Sequence, residues 1–369
     1  MTEHEEAAAE LDRVPAVTRA VRLLEQVASA RTGQSLSELA RALDAPKSSL
    51  LNICAALVSE RLLRRDEDGN YRLGLRVAEF ARAQLSGPRR LTRIGVATQD
   101  PCNPFFVVEE QAIVEAAAAR NIRTVAFNAE QSLAKQIAQL RELGEAGVDA
   151  VIVDAVDSNG VLPGIHELRQ KGIHVIAVNT GVADCDASVT TDNVLAGQLI
   201  GRFFSETVPE GGRLAIVGGN PVTAVSDRVI GFLSAIREAE TLRVVDRVDA
   251  NQTETGGYEA AKALLARNRK LDGIFAINDP TAIGVAAALR DAGLTIPIAS
   301  VDGSAAVAKM IEDRKYIVAT AAQSPASIGA LAVELAERLF SHGSLGNWFH
   351  KLPPVLITES NAKSYRPWR

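Results

Sequence analysis

From residue 94 onward the chain repeats one rhythm, a short aliphatic run followed by a helical stretch, and this repetition constrains the fold more than any other feature. The runs are 94–98 (Ile-Gly-Val-Ala-Thr), 124–128 (Thr-Val-Ala-Phe-Asn), 150–154 (Ala-Val-Ile-Val-Asp) and 174–178 (His-Val-Ile-Ala-Val). They continue at 214–218, 242–248, 273–277, 297–301 and 318–322, with 355–358 as a last strand. Strands that are aliphatic on both faces and separated by helices belong to parallel sheets covered on both sides, and there are too many here for one small sheet. The expected fold class is therefore α/β, in two lobes.

In such sheets ligands lie beyond the carboxyl ends of the strands, so the residues after each run are the candidate site. They are Asn103, Phe105 and Phe106 after the first run, Asn179 and Thr180 after the fourth, then Asn278 with Asp279, Asp302, and Gln323. Amides and carboxylates bind hydroxyls while flat rings cover C–H faces, a set that suits a polyol. No nucleophile stands beside a base. No metal spacing or cofactor motif is visible, and the loop at Gly218 and Gly219 lacks the Lys-Ser/Thr continuation of a phosphate cradle.

Residues 84–93 separate this body from a different module. Ser86, Gly87 and Pro88 deny a helix its continuation, so one should end near Leu85. Residues 1–12 carry five acids and no Lys or Arg, whereas 13–93 hold 15 Lys and Arg against 8 Asp and Glu, a balance of +7 within a chain of net charge -5. A basic module on an acidic body is what a nucleic-acid contact would leave as a footprint, and a solvated charged surface would leave the same excess. Apolar spacing predicts a helix over 16–28, a short one capped by Ser35 or Ser37 and ending before Pro46, and a third over 47–60 whose buried stripe is Leu50, Ile53, Cys54 and Leu57. Lys47, Ser48, Ser49 and Asn52 point away from that stripe. Strands at 62–65 and 71–73 around a turn at 66–70 complete a winged helix-turn-helix, whose second helix can enter a major groove. A further helix, 74–85, is apolar on more than one side, as either a homodimer interface or packing against the winged helix alone would require.

The stretches 36–43 (Leu-Ser-Glu-Leu-Ala-Arg-Ala-Leu), 46–50 (Pro-Lys-Ser-Ser-Leu) and 65–74 resemble the N-terminal DNA-binding domain of the IclR family of regulators. The resemblance implies that Lys47, Ser48, Ser49 and Asn52 lie near base edges or phosphates, with Arg64, Arg65 and Arg72 on the flanking backbone of double-stranded operator DNA. From about Arg93 the chain resembles the type I periplasmic-binding fold of ribose-binding proteins and LacI-type regulators. The residues that carry this are Asn103-Pro-Phe-Phe, Thr191-Asp-Asn-Val, Asp227-Arg228, Asn278-Asp279, Val301-Asp302-Gly303 and Gln323-Ser-Pro. By position it implies Asn103, Phe105 and Phe106 from one lobe, Arg228, Asn278 and Asp302 from the other, and Gln323 at the crossover. Asn179 and Thr180 stand where pentose-binding members have an Asp-Arg pair, and Gln252 stands where an aromatic is usual. A furanose, a linear polyol or another small polar molecule is as open as pyranose ribose.

The domain expectation is an acidic, disordered tail at 1–12, a winged helix-turn-helix with its following helix at 13–85, a linker at 86–93 and an effector domain at 94–369. One lobe comprises 94–192 and 324–350, the other 193–323 and 351–360. Cys54, Cys102 and Cys185 lie too far apart for a framework and read as free thiols, and the start lacks the basic and apolar character of a signal peptide, so a cytoplasmic location is expected. The functional expectation is a transcriptional regulator, not an enzyme, whose operator affinity is set by a sugar or polyol held between the lobes. The rivals are a winged-helix protein with a sugar kinase body and a solute-binding protein for transport.

Overall fold

A computed structural model describes residues 15–30, 32–66, 68–85, 90–239, 242–267, 270–342, 345 and 348–368. The acidic tail and the linker residues 86–89 lie outside these. The chain divides into two compact units, one of residues 1–89 with 342–344, the other of 90–341 with 345–369.

The first unit is helical with a small hairpin. Helices α1 (Pro15–Ser29), α2 (Leu36–Ala42) and α3 (Lys47–Ser59) precede strands β1 (Leu63–Arg65) and β2 (Tyr71–Leu73) and helix α4 (Leu75–Leu85). Ser35 rather than Ser37 starts α2. Its hydroxyl accepts from the Glu38 amide while the Glu38 carboxylate accepts from the Ser35 amide, a reciprocal cap. Leu23 and Val27 of α1, Leu39 of α2, and Leu50, Cys54 and Leu57 of α3 share one core with Leu63 and Tyr71. Ile53 is only partly buried at its edge. The predicted helix-turn-helix and wing are thus present, and Gly74, placed in the last helix by sequence, stands just before it.

The second unit holds two six-stranded sheets. The first is built from β3 (Arg93–Thr98), β4 (Arg123–Asn128), β5 (Ala150–Val153), β6 (His174–Val178), β7 (Ala187–Thr191) and, late in the chain, β13 (Phe349–Leu352). Its helices are α5 (Pro104–Ala118), α6 (Leu133–Glu145), α7 (Leu162–Gln170) and the long α13 (Pro325–His342). The strand order is β13-β7-β6-β5-β3-β4, all parallel. Two separate apolar clusters coat this sheet, one on α5 and α13, the other on α6 and α7. Strands β7 and β13 were not legible in the aliphatic series.

The second sheet takes β8 (Arg213–Gly218), β9 (Arg243–Asp249), β10 (Gly273–Ala276), β11 (Ile298–Asp302), β12 (Ile317–Ala322) and β14 (Val355–Thr358). Its order is β14-β12-β11-β10-β8-β9, parallel except for the edge strand β14. Helices α8 (Asn193–Thr207) and α9 (Thr223–Ala239) cover one face, and α10 (Glu254–Arg267), α11 (Asp279–Asp291) and α12 (Ala305–Glu312) the other. A last short helix, α14, spans Glu359–Ala362. The chain passes between the sheets after β7, after β12 and between β13 and β14, so the loops at the carboxyl ends of both sheets meet across one cleft.

Helices α8 and α9 touch backbone to backbone because each offers a glycine at the crossing. A Cβ at Gly197 would sit 1.9 Å from the Arg228 carbonyl oxygen, and one at Gly231 would sit 2.0 Å from that of Val194. This closeness sets how far Arg228 reaches into the cleft. Overpacking of this kind costs on the order of 1–3 kcal/mol. Gly197→Ala should therefore lower the melting temperature by several degrees in calorimetry and weaken ligand binding with it; an unchanged melting temperature would show that the crossing has slack.

Candidate functional site

Nine of the ten residues singled out as ligand-binding line one cavity at the cleft: Asn103, Phe105, Phe106, Asn179, Arg228, Gln252, Asn278, Asp302 and Gln323. Val222, Ala224 and Val225 complete the wall. These three side chains carry no hydrogen-bonding group by which a sequence could mark them as part of a polar site. Thr180 is the exception. Asn179 takes a left-handed conformation (φ 58°), which turns the chain so that Thr180 is fully buried away from the cavity.

The backbone is bent to present these groups. Besides Asn179, Gln252 (φ 62°) and Asp302 (φ 140°) occupy positive-φ regions that side chains rarely adopt, and such strain collects at functional sites. Asn278 holds one of these bends. Its amide donates to the Gln252 carbonyl at 3.2 Å, and its oxygen caps α11 by accepting from the Thr281 amide at 3.1 Å. Asn103 likewise caps α5, accepting from the Phe105 amide at 3.0 Å. Phe105 and Phe106 belong to the core of the first lobe and also face the cavity, meeting edge to face at 5.7 Å.

Arg228 is buried and fully engaged at two nitrogens. Nε donates to Asn193 Oδ1 at 2.8 Å and Nη1 to the Ile277 carbonyl at 2.7 Å, with Asp302 Oδ1 at 3.7 Å from Nη1. Gln323 Nε2 donates to Asp302 Oδ1 at 2.7 Å, and the Asp279 amide donates to Asp302 Oδ2 at 3.2 Å. Asp279 itself lies behind the wall, accepting from Ser300, Thr320 and Ser304. Behind the other lobe's wall, Asp154 accepts from Gln99 at 2.6 Å and from Asn179 Nδ2 at 3.2 Å. Asp154 is the last residue of the third run, 150–154, at the carboxyl end of its strand, whereas the buried Glu109 beside it carries no such mark.

Because carboxylates hold the amide nitrogens of Asn179 and Gln323, their amide oxygens are left to the cavity. Asn179 Oδ1, Gln323 Oε1 and Gln252 Nε2 are buried without a protein partner. A buried polar atom left unmade costs about 1–3 kcal/mol, so the site calls for a ligand with both donors and acceptors, as hydroxyls are. The room among these side chains is about 20 Å³, enough for roughly one water. That is too little for a sugar in this arrangement of the lobes. Direct bonds join the lobes at the rim: the Gly181 amide to Thr223 Oγ1 at 2.7 Å, the Thr223 amide to Ser158 Oγ at 3.1 Å, and Asn220 Nδ2 to Gln131 Oε1 at 2.8 Å.

Burial drives the carboxyls in and behind the wall toward their neutral forms. Burial lowers the affinity of Arg228 for its proton, and the carboxylates of Asp302, Asp279 and Asp154 oppose this. Burial, assisted by Asp279 and opposed by Arg228, pushes Asp302 up to about 7. Asp154 is also pushed up to about 7 by burial, against the bonds from Gln99 and Asn179, and Glu109 is held well above its usual range by burial and by Asp154.

In the first unit, Lys47, Ser48 and Asn52 are exposed at the start and outer side of α3, and Ser49 is half-buried, accepting from Arg19 at 3.4 Å. Arg64 is exposed on the wing. Arg65 instead closes the wing turn, donating from Nε to the Gly69 carbonyl at 2.9 Å, and Arg72 pairs with Asp66 at 3.0 Å.

Residues 94–344 match the family described as periplasmic binding protein domain, and residues 16–67 match the IclR helix-turn-helix domain. The chain belongs to the periplasmic binding protein domain family and joins to it an IclR-type helix-turn-helix. It is 28% identical to the ribose import binding protein of Bacillus subtilis over 72% of this chain and 87% of that protein. It is 27% identical to the D-apiose import binding protein of Actinobacillus succinogenes, over 73% and 89%. The Caulobacter myo-inositol binding protein bound to myo-inositol superposes with a TM-score of 0.69 at 25% identity, covering 74% of this chain and 95% of that one.

A carboxyl whose pKa is raised on folding holds a proton that the unfolded chain has released, so between about pH 4 and pH 7 stability falls as pH rises. Asp154→Asn, which cannot titrate, should flatten that decline in melting temperature; a slope identical to the parent chain would contradict the reading of Asp154.

Proposed function

We propose that this chain is a one-component transcriptional regulator, acting as a cytoplasmic homodimer, in which a neutral polyhydroxy ligand between the lobes of the second unit controls the affinity of the winged helix-turn-helix for operator DNA. The observation that carries this is the set of three partnerless buried amide atoms in a cavity bordered by one cation and backed by several carboxyls. Asn179 and Gln323 ask the ligand for donors and Gln252 for an acceptor, a demand that hydroxyls meet. The names of the relatives, which bind ribose, apiose or myo-inositol, are consistent with this class. Those relatives are named for import or binding; the attached helix-turn-helix favours regulation here.

In this reading Lys47, Ser48 and Asn52 face the groove and Arg64 the phosphates, whereas Arg65 and Arg72 act by shaping the wing. Ligand shifts the DNA-competent population only through its preference for one lobe arrangement, and a 100-fold preference gives about 2.7 kcal/mol. The test is a thermal-shift screen against pentoses, hexoses and polyols. A ligand that binds the folded chain at about 100 times its Kd should stabilise it by about 2.7 kcal/mol. Asp302→Asn should lose that shift and the ligand response of operator binding while keeping DNA affinity; an undiminished shift would remove Asp302 from the site.

A further inference from the structure

Beside the polar cavity lies a second space of about 400 Å³ with a different character. It shares Asn103, Gln252 and Asp302 with the first, so the two lie side by side. By area its remaining surface is mainly apolar, supplied by Pro104 from the first lobe, by Pro280, Ile283, Ala305 and Ala306 from the second, and by Trp368, while Asp100, Thr253, Glu254, Thr255 and Ser304 add polar groups to its wall. The indole is fixed rather than free. Its N–H donates to the Asp302 carbonyl at 2.9 Å, and its ring meets Phe105 edge to face at 5.9 Å and 88°. Tyr365, three residues earlier, anchors the same segment by donating to the Gly303 carbonyl at 2.9 Å. The indole N–H is thereby spent on the protein, leaving ring surface as what Trp368 offers.

We propose that the effector is a sugar or polyol carrying a planar apolar substituent, with its hydroxyl-rich part in the polar cavity and its substituent in this annex. The inference rests on the polyol reading above and extends it. Three observations converge on it. The polar cavity is nearly filled by its own side chains, whereas the annex has room in the same arrangement of lobes. Asp302, whose carboxylate borders the first space, carries on its carbonyl the tryptophan that walls the second. Prolines, an isoleucine and an indole offer C–H and π surface suited to a flat ring, and they offer a free hydroxyl few partners. Aryl glycosides and nucleosides share this chemistry, and the test separates them.

The experiment is isothermal titration of the full chain with matched ligands: methyl and phenyl glycosides of ribose, arabinose, allose and galactose, together with adenosine and uridine. The expected result is that a phenyl glycoside or a nucleoside binds at least about ten-fold tighter than its own methyl glycoside, as burial of a ring predicts. Tighter binding of phenyl glycosides alone identifies an aryl glycoside, and of nucleosides alone a nucleoside. Ala305→Glu, at an exposed position of the annex, should erase that advantage while leaving the methyl glycoside within about two-fold, and Trp368→Ala should erase it too. Methyl glycosides that bind as tightly as, or tighter than, their ring-bearing partners would overturn the annex and leave the polyol reading standing. An advantage that survives both substitutions would also overturn it. Failure of every compound to bind would overturn both.

Discussion

Everything in the second unit converges on a buried guanidinium. Taking Arg228 out of water is costly unless its donors are met, and the fold meets them from three directions: Asn193 at the start of α8, the carbonyl after β10 at Ile277, and the carboxylate at the end of β11. Each partner sits at the carboxyl end of a strand or the start of a helix, where parallel sheets deliver their polar groups. The glycine crossing of α8 and α9 allows the arginine to reach them. Remove any part and a buried charge is left short of partners.

The same economy explains how a cavity wall selects a ligand. Side-chain amides are ambidextrous, but those of Asn179 and Gln323 are each committed at nitrogen to a carboxylate, so their oxygens have one task left. The carboxyls that fix them lie in or just behind the wall. What the wall leaves unsatisfied is two acceptors and one donor, and the strained backbone at Asn179, Gln252 and Asp302 aims them.

The positions of most site residues were legible because strand ends in a parallel α/β fold are functional positions, and Asn103, Asn278, Asp302 and Gln323 each follow an aliphatic run. Where that legibility ended, the cause was physical. Strand β7 is fully buried yet reads Ala-Ser-Val-Thr-Thr, so its hydroxyls hid it from an aliphatic search. Strand β13 is a partly exposed edge and lacks a continuous apolar run. Thr180 was misplaced by a single left-handed residue, a torsion that composition does not encode. Trp368 reaches Asp302 across 66 positions of sequence, and no local pattern announces a contact of that range. In the first unit the pattern of Leu and Ala revealed the helices, whereas the roles of Arg65 and Arg72 depended on which oxygen each could reach.

The central claim is that ligand between the lobes and DNA at the winged helix are thermodynamically linked. The most direct test is fluorescence anisotropy of the full chain on a DNA duplex selected from a random pool, titrated at fixed salt with and without a saturating ligand found by thermal shift. The account predicts a change in DNA affinity of about ten-fold or more, with a matching change in ligand affinity when DNA is bound. Tight binding of both with neither altering the other would contradict it.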